Sequence, residues 1–108
     1  MREPRYVHIA FAPVPLVHQT QIDRVVESEA FDWVRYTYNC YIIWSPSDCE
    51  TILRKISQIP GMHDTSIFIT AMDPNDGFAN LPPFVWEWLR RDRGKHTLFI
   101  TEPEQRHD

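Results

Sequence analysis

With 108 residues, 43% of them hydrophobic and 24% charged, the chain has the length and composition of one globular domain. A chain of this size buries roughly two-thirds of its unfolded surface, enough for one core without disulfides or metal. A net charge of −4 argues against a general nucleic-acid binder, two cysteines are too few for a disulfide scaffold, and no stretch approaches the ~20 apolar residues of a membrane span.

The N-terminus, Met1-Arg2-Glu3-Pro4-Arg5, is charged, and Pro13 and Pro15 break the apolar run behind it, which does not fit a signal peptide. Reduced thiols at Cys40 and Cys49 and a soluble, cytoplasmic protein are therefore expected. Tyr6 to Ala12 reads as a buried strand, with Val7, Ile9 and Phe11 on one face and Tyr6, His8 and Ala10 on the other. Proline cannot donate to a ladder, so Pro13 and Pro15 end it. Gln19 to Ala30 carries Ile22, Val25, Val26 and Ala30 at helical spacing, with Thr20 as its N-cap.

Trp33 to Trp44 is rich in β-branched and aromatic residues but too long for a common strand. It divides into a hairpin turning at Tyr38-Asn39, where asparagine tolerates positive φ; a single bent strand with a bulge is the alternative. Ser47-Asp48-Cys49-Glu50 fits a capping box, with Ser47 as the cap. The helix that follows presents Ile52, Leu53, Ile56 and Ile59 inward and stops at Pro60-Gly61. Thr65 to Met72 is an interior strand, and Asp73-Pro74-Asn75-Asp76-Gly77 a turn in which Gly77 supplies positive φ. A short helix over Leu81–Leu89 turns Phe84, Val85, Trp88 and Leu89 to one side and ends at Gly94. Thr97–Thr101 forms a last short strand, and Glu102 to Asp108 is a polar tail.

The element order predicts an α+β fold: a ferredoxin-like β-α-β-β-α-β sandwich with an antiparallel sheet, plus a short C-terminal helix and strand. The whole chain, 1–108, is expected to be a single domain with its core over 6–72 and a C-terminal extension over 78–101. Two helices cover one sheet face, and the other face carries apolar and aromatic side chains that call for a partner. A homodimer is the leading expectation, with His8, Trp33, Tyr41 and Trp44 as sheet-face candidates.

The pattern Trp33, Tyr41-Ile42-Ile43, a Ser-capped helix, Ile67-Phe68-Ile69, Leu81-Pro82 and Trp88-Leu89 resembles the SinR-like small bacterial proteins. These are relatives of the CRISPR-associated ferredoxin-fold nuclease family. The resemblance spans most of residues 6–90 and is most specific between Trp33 and Trp88. It implies a ferredoxin-like dimer, with the strand near Thr97–Thr101 pairing with the partner's sheet. It also implies an aspartate at the end of the first strand, holding a divalent metal across the dimer axis. Here that position reads Ala10-Phe11-Ala12-Pro13, with no acid, and hard divalent cations need oxygen ligands. The family's nuclease activity is therefore not expected.

Other chemistry is thinly supported. His8, His18, His63, His96 and His107 are scattered without an i, i+4 pair, so no metal site and no cofactor are expected. His8 reads as a packed or interfacial histidine; facing its mate across a two-fold axis, it would make dimerisation pH-sensitive. Cys49 opens a helix, where the dipole favours thiolate, but Asp48 and Glu50 oppose it. Arg90, Arg91, Arg93, Lys95 and His96 form the one basic cluster, diluted by Glu87 and Asp92, with Trp86 and Trp88 beside them as stacking surfaces for nucleic acid. The competing explanation is a helix C-terminus whose dipole favours cations. The sequence thus favours a non-catalytic homodimeric scaffold, with nucleic-acid binding or RNA cleavage through Arg90–Lys95 as the alternative and no membrane partner.

Overall fold

A computed structural model of the chain describes residues 2–77 and 79–98. The chain divides into two compact units, the first ending at Met72 and the second beginning at Asp73. In the first unit the elements are β1 (Arg5–Phe11), α1 (Leu16–Glu29), β2 (Asp32–Thr37), β3 (Cys40–Ser45), α2 (Cys49–Ser57) and β4 (Ile67–Met72). The four strands form one antiparallel sheet in the order β2-β3-β1-β4. The protein is therefore an α+β protein, with α3 (Pro83–Leu89) in the second unit as its third helix.

Side chains alternate across a strand, so register decides which of them meet. Val7 lies opposite Ile43 and Ala71, and Ile9 opposite Tyr41 and Ile69. That side carries Val7, Ile9, Phe11, Tyr41 and Ile43 into a core with Ile22 and Val26 of α1 and Ile52 and Ile56 of α2. Each fully buried aliphatic side chain there stabilises the fold by roughly 1.5–3 kcal/mol. Ile59 and Met62, beyond the end of α2, complete the core.

The β2–β3 hairpin turns at Tyr38-Asn39, which removes the single-bent-strand alternative; the irregularity falls within β2, between Arg35 and Thr37. Among the described residues, no non-glycine residue has positive φ, so Asn39 serves the turn differently from expectation. Its amide Nδ2 donates to Phe11 O at 2.9 Å, while Phe11 N donates to Asn39 O at 3.2 Å. The side chain thereby pins the hairpin to the end of β1.

Both helix starts differ from the sequence reading. Helix α1 begins at Leu16, and the Pro15 carbonyl accepts from the His18 and Gln19 N–H groups. Thr20 is thus inside the helix, donating its hydroxyl to Leu16 O at 3.1 Å. The cap of α2 is Asp48, which accepts from Thr51 N at 2.8 Å; Ser47 instead donates to the Glu29 carboxylate. Leu53 points to solvent, since the apolar stripe of α2 is satisfied by Ile52 and Ile56. Gly61 has φ +89°, and a Cβ there would stand 2.9 Å from the His18 ring, so this position requires glycine.

In the second unit the turn after β4 is held by Asn75 N donating to Asp73 Oδ1 and Asp76 N to Asp73 O, both at 3.0 Å. Gly77 does not adopt positive φ, because these bonds close the turn before it. Helix α3 buries Val85, Trp86, Trp88 and Leu89 and leaves Phe84 exposed, a face rotated from the expected one. It stops at Leu89; Gly94, at φ +64°, opens a 3₁₀ turn over Gly94–His96 instead of ending the helix. Thr97 closes that turn, neither it nor the buried Leu98 is in a strand, and the remainder of the strand expected over Thr97–Thr101 lies outside the described residues, as does the tail. Among the described residues, no helix is long and apolar enough to cross a membrane.

Candidate functional site

The sheet face opposite α1 and α2 carries Tyr6, His8 and Ala10 of β1 and Cys40, Ile42 and Trp44 of β3. Val34 and Tyr36 come from β2, and Phe68, Thr70 and Met72 from β4. It is not uniformly open. Tyr6, Val34, Ile42 and Trp44 are buried within the chain, and the Tyr6 and Trp44 rings lie 4.8 Å apart. The accessible remainder centres on β4, where Phe68 is 67% exposed, with His8, Tyr36, Cys40 and Thr70 half-buried beside it.

The four sheet-face candidates therefore separate. Trp33 and Tyr41 lie on the helix-covered side, their rings 5.7 Å apart, and Tyr41 is fully buried there. Trp44 faces the other way but is buried, leaving His8 on the accessible part. The reason is register: odd positions of β1 and β3 share one face, and His8 and Trp44 are even.

His8 joins a small polar cluster that local sequence pattern does not reveal, because its members lie on three strands. The His8 ring Nε2 and the Tyr36 hydroxyl are 2.6 Å apart. The Tyr36 hydroxyl pKa is pushed up to about 12, first by burial and then by the neighbouring Cys40 thiol. Burial lowers the His8 pKa, so the imidazole is neutral at pH 7. A neutral histidine and a protonated tyrosine make a stable hydrogen-bonded pair. Among the described residues, no three His, Cys, Asp or Glu side chains gather as metal ligands.

A second polar group secures the β2 side. Tyr41 donates its hydroxyl to Asp23 of α1, and Arg35 Nη1 pairs with the same carboxylate at 3.2 Å. Burial, with Asp23 next, raises the Tyr41 pKa. Cys49 lies beside Arg5, whose Nη2 donates to the sulfur at 3.7 Å, a neighbour 44 positions away in the chain. Both cysteines are free thiols.

The basic cluster lies in the second unit. Arg90, Arg91 and Lys95 are exposed, but the Arg93 guanidinium sits 4.5 Å over the Trp88 ring. Trp86 and Trp88 are themselves buried, so neither offers a face on which a base could stack. Asp92 stands within the cluster, accepting from Gly94 N at 2.9 Å and Thr97 Oγ1 at 3.1 Å. Those bonds hold its carboxyl below the usual range and keep a negative charge among the cations.

Comparison with protein-family models, curated proteins and solved structures finds no match for this chain. The functional reading therefore rests on its own geometry.

Proposed function

We infer that the chain is a ferredoxin-like interaction module that works as a homodimeric, non-catalytic scaffold in the cytoplasm. The antiparallel order β2-β3-β1-β4, with helices between β1 and β2 and between β3 and β4, supports the ferredoxin-like assignment. The SinR-like resemblance fits the same reading. So does the end of β1, where Ala10-Phe11-Ala12-Pro13 offers no carboxylate for a divalent ion.

One observation carries the dimer: Phe68 is 67% exposed on a sheet-edge strand, Ile67–Met72, that has no charged residue. Proteins normally blunt such an edge or pair it. The nucleic-acid alternative draws less support, since the tryptophans beside the arginines are buried and Asp92 interrupts the charge.

Sedimentation velocity across the micromolar range tests the reading. A dimer is expected, and a monomer throughout would overturn it. Magnesium- or manganese-dependent cleavage of RNA or DNA by clean protein would overturn the non-catalytic part.

A further inference from the structure

Resting on the homodimer proposed above, the geometry points to a specific interface: β4 pairs antiparallel with β4 of a second copy, joining the two sheets edge to edge. Ala12 N donates to Ser66 O at 2.9 Å, continuing the β1–β4 ladder in the same register as Ala10 with Phe68, His8 with Thr70 and Tyr6 with Met72. In an antiparallel ladder, bonded and non-bonded pairs alternate. The even residues of β4 therefore turn their N–H and C=O groups toward β1. Ile67, Ile69 and Ala71 turn theirs outward, where no strand of the described chain lies. The Ala71 carbonyl accepts the Thr70 hydroxyl at 3.1 Å and keeps its second lone pair.

A two-fold axis at Ile69, perpendicular to the sheet, matches these groups to their own copies. Ile69 then bonds Ile69, and Ile67 exchanges bonds with Ala71, so every outward donor of β4 finds an outward acceptor. On the open face Phe68 comes opposite Thr70, and the two Phe68 rings become diagonal neighbours close enough to cover one another. On the helix-covered face Ile69 meets Ile69 and Ile67 meets Ala71. The strand itself is uncharged, and the first acid beyond it, Asp73, comes opposite Thr65, so no like charges meet. A second copy fits because the pattern of outward groups is its own complement. A partner of different sequence would gain the backbone bonds but not the mutual cover of the two phenylalanine rings.

The test separates this interface from dimerisation in general. Ala71→Pro removes an outward N–H and no bond within the chain, so it should give a folded monomer by sedimentation velocity and circular dichroism. Phe68→Cys and Thr70→Cys are also made separately, each with Cys40→Ser and Cys49→Ser, and mixed under mild oxidation. Phe68 and Thr70 form a non-bonded cross-strand pair in this register, within disulfide range. Covalent dimer should form in the mixture and not in either variant alone. A wild-type dimer that survives Ala71→Pro, with no disulfide in the mixture, would sink this interface while leaving the homodimer standing. A wild-type monomer would overturn both.

Discussion

The two edges of the sheet receive opposite treatment. At β2, the outward N–H of Trp33 is taken by the Asp32 carboxylate at 3.0 Å, a register shift between Arg35 and Thr37 twists the strand, and Arg35 places a charge along it. These are devices that stop a strand from recruiting another. At β4 the sequence Ile67-Phe68-Ile69-Thr70-Ala71-Met72 has no charge, no proline and no shift in its register with β1. On the interface proposed above, the protected edge is the one left out of the pairing, and the unprotected edge is the one that pairs.

The largest effect that sharpens this contrast comes from proline at neighbouring positions of β4. Thr70 turns its N–H toward His8, so Thr70→Pro should break the ladder and cost about 3 kcal/mol in urea unfolding. Ala71→Pro should change monomer stability by no more than about 1 kcal/mol, because edge positions facing outward tolerate proline. Equal costs at the two positions would mean that the assignment of inward and outward groups on β4 is wrong.

On the β2 side, Asp23→Ala removes the acceptor of the Tyr41 hydroxyl and the partner of Arg35. A buried hydroxyl without an acceptor is the main loss, and destabilisation of about 2 kcal/mol is expected. Tyr41→Phe removes the hydroxyl together with its need for an acceptor, and should cost only about 1 kcal/mol. If Tyr41→Phe proves the more damaging, the Asp23 contact does not secure this edge.

How much of this was readable from the chain divides along physical lines. The hairpin at Tyr38-Asn39, the helices around Ile22–Val26 and Ile52–Ile56, and the break at Gly61 follow from local pattern and turn chemistry, which act over a few residues. The faces of Trp33, Tyr41, His8 and Trp44 do not. Period-two alternation gives each strand two faces, but only register between strands says which faces coincide. The His8–Tyr36 bond spans 28 positions and depends on β2 and β1 flanking β3, a tertiary fact. Capping failed for another reason: Ser47 and Asp48 are both competent caps, and a distant residue, Glu29, took the serine.

Glu29 gives the next smaller effect and a pH dependence. Burial raises its pKa, but the hydrogen bonds from Lys55 and Ser47 outweigh that, and the net shift is below the ordinary value of 4.5. A depressed carboxylate pKa contributes stability above that ordinary value, and the contribution is lost as pH falls through the folded-state pKa. Asp48 and Asp92, lowered by backbone bonds to Thr51 and Gly94, act in the same direction. Glu29→Gln should therefore flatten, without abolishing, the fall in stability measured by urea unfolding as pH drops below about 4.5. An unchanged acid slope would remove Glu29 as a contributor.

The smallest expected effect falls on Phe68, and its smallness is what the edge comparison requires. Val34, on the same face at the β2 side, is buried and belongs to the fold; Phe68, at the β4 side, is 67% exposed. At concentrations low enough for monomer, Phe68→Ser should leave stability within about 0.5 kcal/mol of wild type, as surface substitutions do. At concentrations that favour dimer, the same change should weaken association, because the ring's apolar area is buried only by the second copy. A ring that stabilised the monomer would be packed within the chain, and β4 would then be as protected as β2. Stability that is indifferent to Phe68 in the monomer, joined to association that depends on it, marks the ring as belonging to an interface.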